Sequence, residues 1–213
     1  AKPRPTVSQM DLAEILEDPS RSSGLLAWNI NIAASNPQQA RLRAALARED
    51  LFTVAIDIFP TDTTDLADVV LPAATFLECD DLVLSYFDLS VSAQAKAADP
   101  PGEALPNPEI FRRLAAAMGY TEPELFEPDL EVLERLLEGT GIGLDFAGLR
   151  EVGTVPYGDE PIVQFAGLTF PTPSGTVEIA SERAEADGLP RVPFPHADPR
   201  PDGDLLRLLT PAS

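Results

Sequence analysis

Asp57 closes an apolar run, LFTVAIDIF over residues 51–59, and a polar stretch, TDTTDLAD over residues 61–68, follows Pro60. A second apolar run, VVL over residues 69–71, is stopped by Pro72. Runs of this kind fit buried strands, covered on both faces as in a parallel sheet. Polar groups at the carboxyl ends of such strands are where open α/β sheets bind ligands. Thr61 and Asp62 also suit the N-cap of a short helix, because a side-chain oxygen there takes up an orphan backbone N–H. The residue pattern leaves both readings open: a ligand-binding edge, or an acidic surface loop that caps a helix.

Other chemistries have fewer candidates. The single cysteine, Cys79, excludes an internal disulfide and a cysteine-only metal or iron–sulfur site, which needs several thiolates. The single histidine, His196, stands in the proline-rich VPFPHADPRP and reads as an exposed loop residue. No Ser/His/Asp set, GxSxG element or glycine-rich phosphate loop after a strand is visible. No apolar run reaches the roughly 18 residues of a membrane span.

The elements that must position the polar edge follow in order. Ser8 with Asp11 resembles a capping box and opens a short helix to Glu17, with Leu12, Ile15 and Leu16 on one face. GLLAWNI over residues 24–30 is a strand candidate. Asn36 as N-cap with Pro37 in the first turn predicts a helix over 37–48, with Leu42 and Leu46 facing the sheet. The strand at 51–59 completes a strand–helix–strand unit. A short helix or turn is expected in 73–81 and an extended segment over 83–94. Asn107-Pro108 repeats the cap signal for a helix to Met118, whose apolar face is Ile110, Phe111, Leu114 and Met118 and whose stop is Gly119. Further helices are predicted over 130–138 and 144–151. Short strands are expected at TVEIA, 176–180, and at 205–209, with a capped helix over 181–186 stopped by Gly188.

Composition sets the class. The chain has 213 residues, 44% hydrophobic and 23% charged, which supports a packed core. The net charge is −20 and the pI about 4.2. Phosphate binding needs clustered Lys and Arg, so this charge argues against a nucleic-acid partner and an anionic-membrane surface. The start, AKPRPTVSQM, has neither an initiating Met nor an apolar signal core, so a cytoplasmic fragment is expected.

These pieces, in this order, resemble the molybdopterin oxidoreductases of the dimethyl sulfoxide reductase and formate dehydrogenase-like class, from about residue 25 to the end. The most specific stretch is DIFPTDTTDLADVVLP, 57–72, similar to the family's D-x-F-x-T-x-T-x-x-x-A-D-x-V-L-P. TFLE at 75–78 and PNPEIF at 106–111 continue the likeness. FPTPSGTVE at 170–178 resembles the family's F-x-T-P-S-G-K-x-E, with Thr176 in place of Lys. LRLLTPA at 206–212 resembles the strand entering the family's cap-domain barrel.

The resemblance implies a Rossmann-like three-layer α/β/α fold with a mostly parallel sheet, then an irregular segment leading to a truncated β-barrel domain. The implied divisions are a dinucleotide-binding part over 1–120, a helical and irregular extension over 121–190, and a linker with the first cap-domain strand over 191–213. It implies that the intact protein holds molybdenum on bis-molybdopterin guanine dinucleotide, and that this sheet holds one dinucleotide at its carboxyl edge. Asn31, Ser35, Ile56, Asp57 and Asn107 match cofactor-binding positions. Asp57 matches the acid that accepts guanine N–H groups, and Ile56 could contribute only backbone. The family often has G-x-N-P where this chain has Asn29-Ile30-Asn31-Ile32. The family's iron–sulfur cysteines and molybdenum ligand have no counterpart here, and Cys79 is not at the ligand position. Expected partners are the remaining domains of the oxidoreductase and an electron-transfer partner. The chain alone is expected to bind no metal cofactor and to be inactive. A different reading remains: a non-catalytic α/β interaction or assembly domain that has lost the site.

Overall fold

The computed structural model of the chain describes residues 6–85, 88–158, 160, 163–195, 203, 204 and 206. The chain divides into two compact units, residues 1–160 and 161–213.

In the first unit Ser8 caps as expected. Its Oγ accepts the Met10 N–H at 3.1 Å, opening a 3-10 turn that runs into α1 (Leu12–Glu17). Next come β1 (Gly24–Trp28), α2 (Ile32–Ser35), α3 (Gln39–Leu46), β2 (Phe52–Asp57) and β3 (Val69–Pro72). The three strands form a parallel sheet in the order β1-β2-β3, with Trp28 opposite Ile56 and Asp57 opposite Pro72. Leu16, Ile32, Leu42, Leu46 and Leu51 bury together and take in Leu25 of β1, so α1 and α3 cover one sheet face.

The helix start at Asn36 is corrected. Asn36 ends α2, and its Nδ2 donates to the Gln9 carbonyl at 3.3 Å, so a tertiary partner wins over the local cap. The helix α3 begins two residues after Pro37, behind Gln38 at φ +58°.

Coverage of both sheet faces is also corrected. Ile56 and Leu71 pack under Ile110 of α4 (Asn107–Ala117). Leu26, Phe52 and Val69, in register on the same face, remain 45%, 57% and 38% exposed. Within this unit α4 reaches only the carboxyl end of that face, so the expected third layer is partial.

Among the described residues the parallel sheet continues past β3 only as a single bridge between Ala73 and Leu105. β4 (Asp81–Leu84), β5 (Ser90–Gln94) and β6 (Thr154–Pro156) form a separate antiparallel sheet. The region read as one extended segment is a hairpin, and so short a connection can join only antiparallel strands. Val91 packs with Leu133 and Leu137 of α5 (Asp129–Thr140) and with Phe146 and Leu149 of α6 (Phe146–Val152). Gly119, at φ +76°, follows the end of α4.

In the second unit Ser181 Oγ caps α7 (Glu182–Ala186) by accepting the Ala184 N–H at 3.1 Å, and Gly188 follows at φ +77°. The strand expected at 176–180 is not formed. Val177 and Ile179 are exposed, and Thr172 folds back on the Thr176 carbonyl within a turn. The strand expected at 205–209, and with it the entry to a barrel, lies outside the described residues except for Leu206.

Candidate functional site

The carboxyl edge of the parallel sheet is knitted by backbone bonds. Asn29 N–H donates to the Ile56 carbonyl at 2.8 Å, Ala73 N–H to Asp57 at 3.0 Å, and Ala74 N–H to Leu105 at 2.8 Å. Side chains alternate across a strand, so this edge has two sides. Trp28 and Ile56 share the α4 face. Asp57, in phase with Thr53 and Ala55, belongs to the face that α1 and α3 cover.

On the α3 side the polar loop is locked by its own hydroxyls. Thr63, 1% exposed, donates Oγ1–H to Asn31 Oδ1 at 2.8 Å and accepts the Ala33 N–H at 3.1 Å. Asp62 accepts from Arg43 at 2.8 Å. That arginine first, and a hydrogen bond from Asn31 second, hold the Asp62 carboxyl below its ordinary value. Thr61 Oγ1 accepts the Thr64 N–H at 3.3 Å at the start of the 3-10 turn Thr64–Leu66, and Asp68 accepts the Thr53 N–H at 2.7 Å. Thr61, Thr63 and Asp68 therefore shape the loop. Ser35 donates its hydroxyl to the Asn31 carbonyl at 2.8 Å. Asp57 Oδ1 accepts the Ile58 N–H at 2.8 Å, and Oδ2 has no hydrogen-bond partner among the described residues.

On the α4 side a cleft of about 640 Å³ opens, within the range of small-ligand sites. Trp28, Asn29, Ile58, Asn107 and Phe111 line its sheet end. Asn107 does not cap α4; Pro106 holds the N-cap position. Instead Trp28 Nε1–H donates to Asn107 Oδ1 at 3.0 Å, and Trp28 meets Phe111 edge to face, ring centroids 4.9 Å apart at 78°. Of the five residues singled out in the sequence, Asn107 lines this cleft. Asn31, Ser35 and Asp57 stand on or beside the α3 side of the same edge, and Ile56 is fully buried beneath it.

The cleft lining also includes Asp80, Asp81, Glu124, Glu127 and Asp129, of which Glu127 is paired with Arg135 and Asp129 with Arg112. Arg112, also in the lining, is committed to Glu109, Asp129 and the Glu127 carbonyl. Acids accept N–H groups and repel phosphates, so this lining favours N–H donors over phosphate. Burial first, then the carboxylates around it, pushes the Cys79 thiol above its ordinary value, which makes it a poor nucleophile. Among the described residues no group of three or more His, Cys, Asp or Glu could hold a metal ion.

Residues 7–117 match the family model described as "Molybdopterin oxidoreductase". The chain belongs to the molybdopterin oxidoreductase family. The probable oxidoreductase YoaE of Bacillus subtilis is 34% identical over 183 residues, covering 84% of this chain and 27% of its own length. The assimilatory nitrate reductase catalytic subunit of the same organism is 31% identical over 169 residues, covering 75% and 23%. The chain thus spans about a quarter of the length of these relatives. Acetylene hydratase from Pelobacter acetylenicus shares the fold, with a TM-score of 0.72 at 24% identity over 88% of this chain and 26% of its own.

Within a molybdopterin oxidoreductase the edge residues take on added meaning. Asn29 holds φ +50° at the position where the family motif has glycine, a conformation Asn tolerates better than most residues. Sequence reading passed over Asn29 and Trp28. The available signals were an Asn in a glycine position and a lone tryptophan at a strand's carboxyl end.

Proposed function

We propose that this chain supplies a nucleotide-binding part of a molybdopterin oxidoreductase, holding the guanine dinucleotide of bis-molybdopterin guanine dinucleotide at the carboxyl edge of its parallel sheet. The observation that carries the reading is Asp57: a carboxylate at the last position of β2, with one oxygen anchored on its own loop and the other without a partner among the described residues. Such an oxygen can accept guanine N–H groups. Asn31 and Ser35 stand at the two ends of the short helix α2, over which the nucleotide passes, and Thr63 braces Asn31. The carbonyl of Ile56 is taken by Asn29 N–H, so Ile56 acts as the floor of the site. Asn107 offers its Nδ2 donors from the first turn of α4, where the helix dipole also favours an anion.

The residues fit the base end of the group better than its phosphates, because the one arginine of the cleft is already paired. When bound, the molybdenum and its pterins supply the electron chemistry, and the protein orients them. In this reading the intact protein is cytoplasmic, carries an iron–sulfur cluster outside these residues, and works with an electron-transfer partner. No helix among the described residues is long and apolar enough to cross a membrane. The chain by itself turns over no substrate; the base-binding edge lies within it, and the remaining domains carry the metal end of the cofactor.

The test is calorimetric titration of GMP and GDP into the chain and its Asp57→Ala variant. Binding lost by about tenfold or more in the variant supports the role of the carboxylate; unchanged binding removes it. A second reading, a non-catalytic interaction or assembly domain, is favoured by the half-exposed apolar sheet face at Leu26, Phe52 and Val69. Failure to bind either nucleotide would turn the account toward that reading.

A further inference from the structure

The cleft on the α4 side is lined by more than the parallel sheet. It takes in Phe76, the start of β4 at Asp81, the connector at Glu124 and Leu125, and Leu136 of α5. Phe76, Leu125 and Leu136 are 66%, 44% and 56% exposed. Apolar side chains exposed singly are ordinary, but three large ones lining one cleft make a contact surface. The charge of the same lining is one-sided. Asp80 spends Oδ1 on the Lys96 N–H at 2.8 Å, and Asp81 spends Oδ1 on the Leu82 N–H at 2.7 Å. The second oxygen of each, and both oxygens of Glu124, have no partner among the described residues. The neighbouring cations are already taken. Lys96 turns its ammonium to Asp99 at 2.7 Å, Arg112 is held by Glu109 and Asp129, and Arg135 pairs with Glu127 at 2.6 Å. Cys79 feels the resulting field: after burial, Asp81, Asp129 and Asp80 are what push its thiol up.

We propose that these residues form a docking surface for a basic, apolar segment of a partner protein, in which lysine or arginine alternates with leucine-sized side chains. The segment's apolar groups, and the aliphatic stems of its cations, lie on Phe76, Leu125 and Leu136. Its cationic heads reach Asp80, Asp81 and Glu124. Charge complementarity decides the occupant. A second copy of this chain, at net charge −20, would bring acids to acids. An acidic or phosphorylated segment is repelled for the same reason. A cleft of about 640 Å³ takes a few side chains, which fits a short segment. Asp57 is not among the lining residues, so this surface stands apart from the nucleotide reading.

The probe is a capped, fluorescein-labelled octapeptide of alternating lysine and leucine, titrated with the full chain at low salt and read by anisotropy. The expected result is saturable binding of one peptide per chain. The combined variant Asp80→Asn, Asp81→Asn and Glu124→Gln weakens it about tenfold or more. The variant Glu49→Gln, Glu103→Gln and Glu151→Gln removes the same charge from three exposed acids outside the cleft. It weakens binding by less than about twofold, the loss expected of distant, screened charges. Leu125→Ala with Leu136→Ala, both at exposed positions that leave the fold intact, weakens it about threefold or more. Equal losses in the two charge variants mean attraction to the whole acidic chain and overturn the proposal. So does full affinity in the alanine variant, or displacement of the peptide by spermine at the peptide's own concentration, since spermine carries charge without leucine. No saturable binding at near-millimolar chain overturns it outright. A chain that sediments as a dimer, and binds peptide only when dissociated, has a second copy in the cleft and contradicts the occupant proposed.

Discussion

At the scale of single residues the polar loop is held by buried side-chain bonds. Thr63 is the joint: one hydroxyl serves both Asn31 Oδ1 and the Ala33 N–H. Thr63→Val keeps the shape and strands both partners, so urea denaturation should show a loss of about 1–3 kcal/mol. Thr63→Ser, which keeps the hydroxyl, should recover most of it. The place of Asp57 at a strand end was legible because a short acid stands near the close of an apolar run, whereas Asn31 was singled out only by the family resemblance. The partners were not legible. Trp28 and Asn107 are 79 residues apart, and nothing in either neighbourhood tells an amide that caps its own helix from one that accepts a distant indole N–H. Asn36 misled for the same reason, its amide being spent on Gln9.

At the scale of elements the two faces of one sheet should respond in opposite ways. Leu42 of α3 is fully buried against one face, and Phe52 of β2 stands largely exposed on the other. Leu42→Ala should cost about 2–5 kcal/mol in urea denaturation, whereas Phe52→Lys should change stability by less than about 0.5 kcal/mol. A large loss from Phe52→Lys would mean that the face is covered in solution. The strands β1, β2 and β3 and the helix α4 were readable from apolar runs and helical periodicity. The degree of coverage was not, because a continuous apolar run records what a strand is fit to bury and not what is there to bury it. The hairpin of β4 and β5 was read as one segment because its alternation is imperfect. The TVEIA stretch has strand composition but no strand to pair with among the described residues, and so remains in a turn-rich segment.

At the scale of the whole molecule, charge dominates. The excess of 20 acids over bases leaves most carboxylates without a basic partner, and the paired ones sit at the surface. Arg41, Arg43, Arg113 and Arg135 lower the pKa of Glu17, Asp62, Glu109 and Glu127 respectively, in each case first through a hydrogen bond. These groups bind protons less readily folded than unfolded. Their contribution is therefore complete above the unfolded carboxylate pKa and is lost as pH falls through the lower folded values. Relief of net repulsion works the other way as pH approaches the pI of about 4.2. Thermal melts should therefore stay level or rise from pH 7 to about pH 5 and fall below about pH 4, with a solubility minimum near the pI. A steady fall beginning at neutral pH would contradict this balance.

The central claim is that the carboxyl edge of this small parallel sheet recognises a guanine nucleotide. The most direct measurement is a pair of calorimetric titrations of the unmodified chain, one with GMP and one with AMP, at matched concentrations and low salt. The account predicts a saturable GMP isotherm and an AMP affinity at least tenfold weaker, the scale of one charge-assisted contact to the base. Equal isotherms, or no heat from GMP at millimolar concentration, would contradict it.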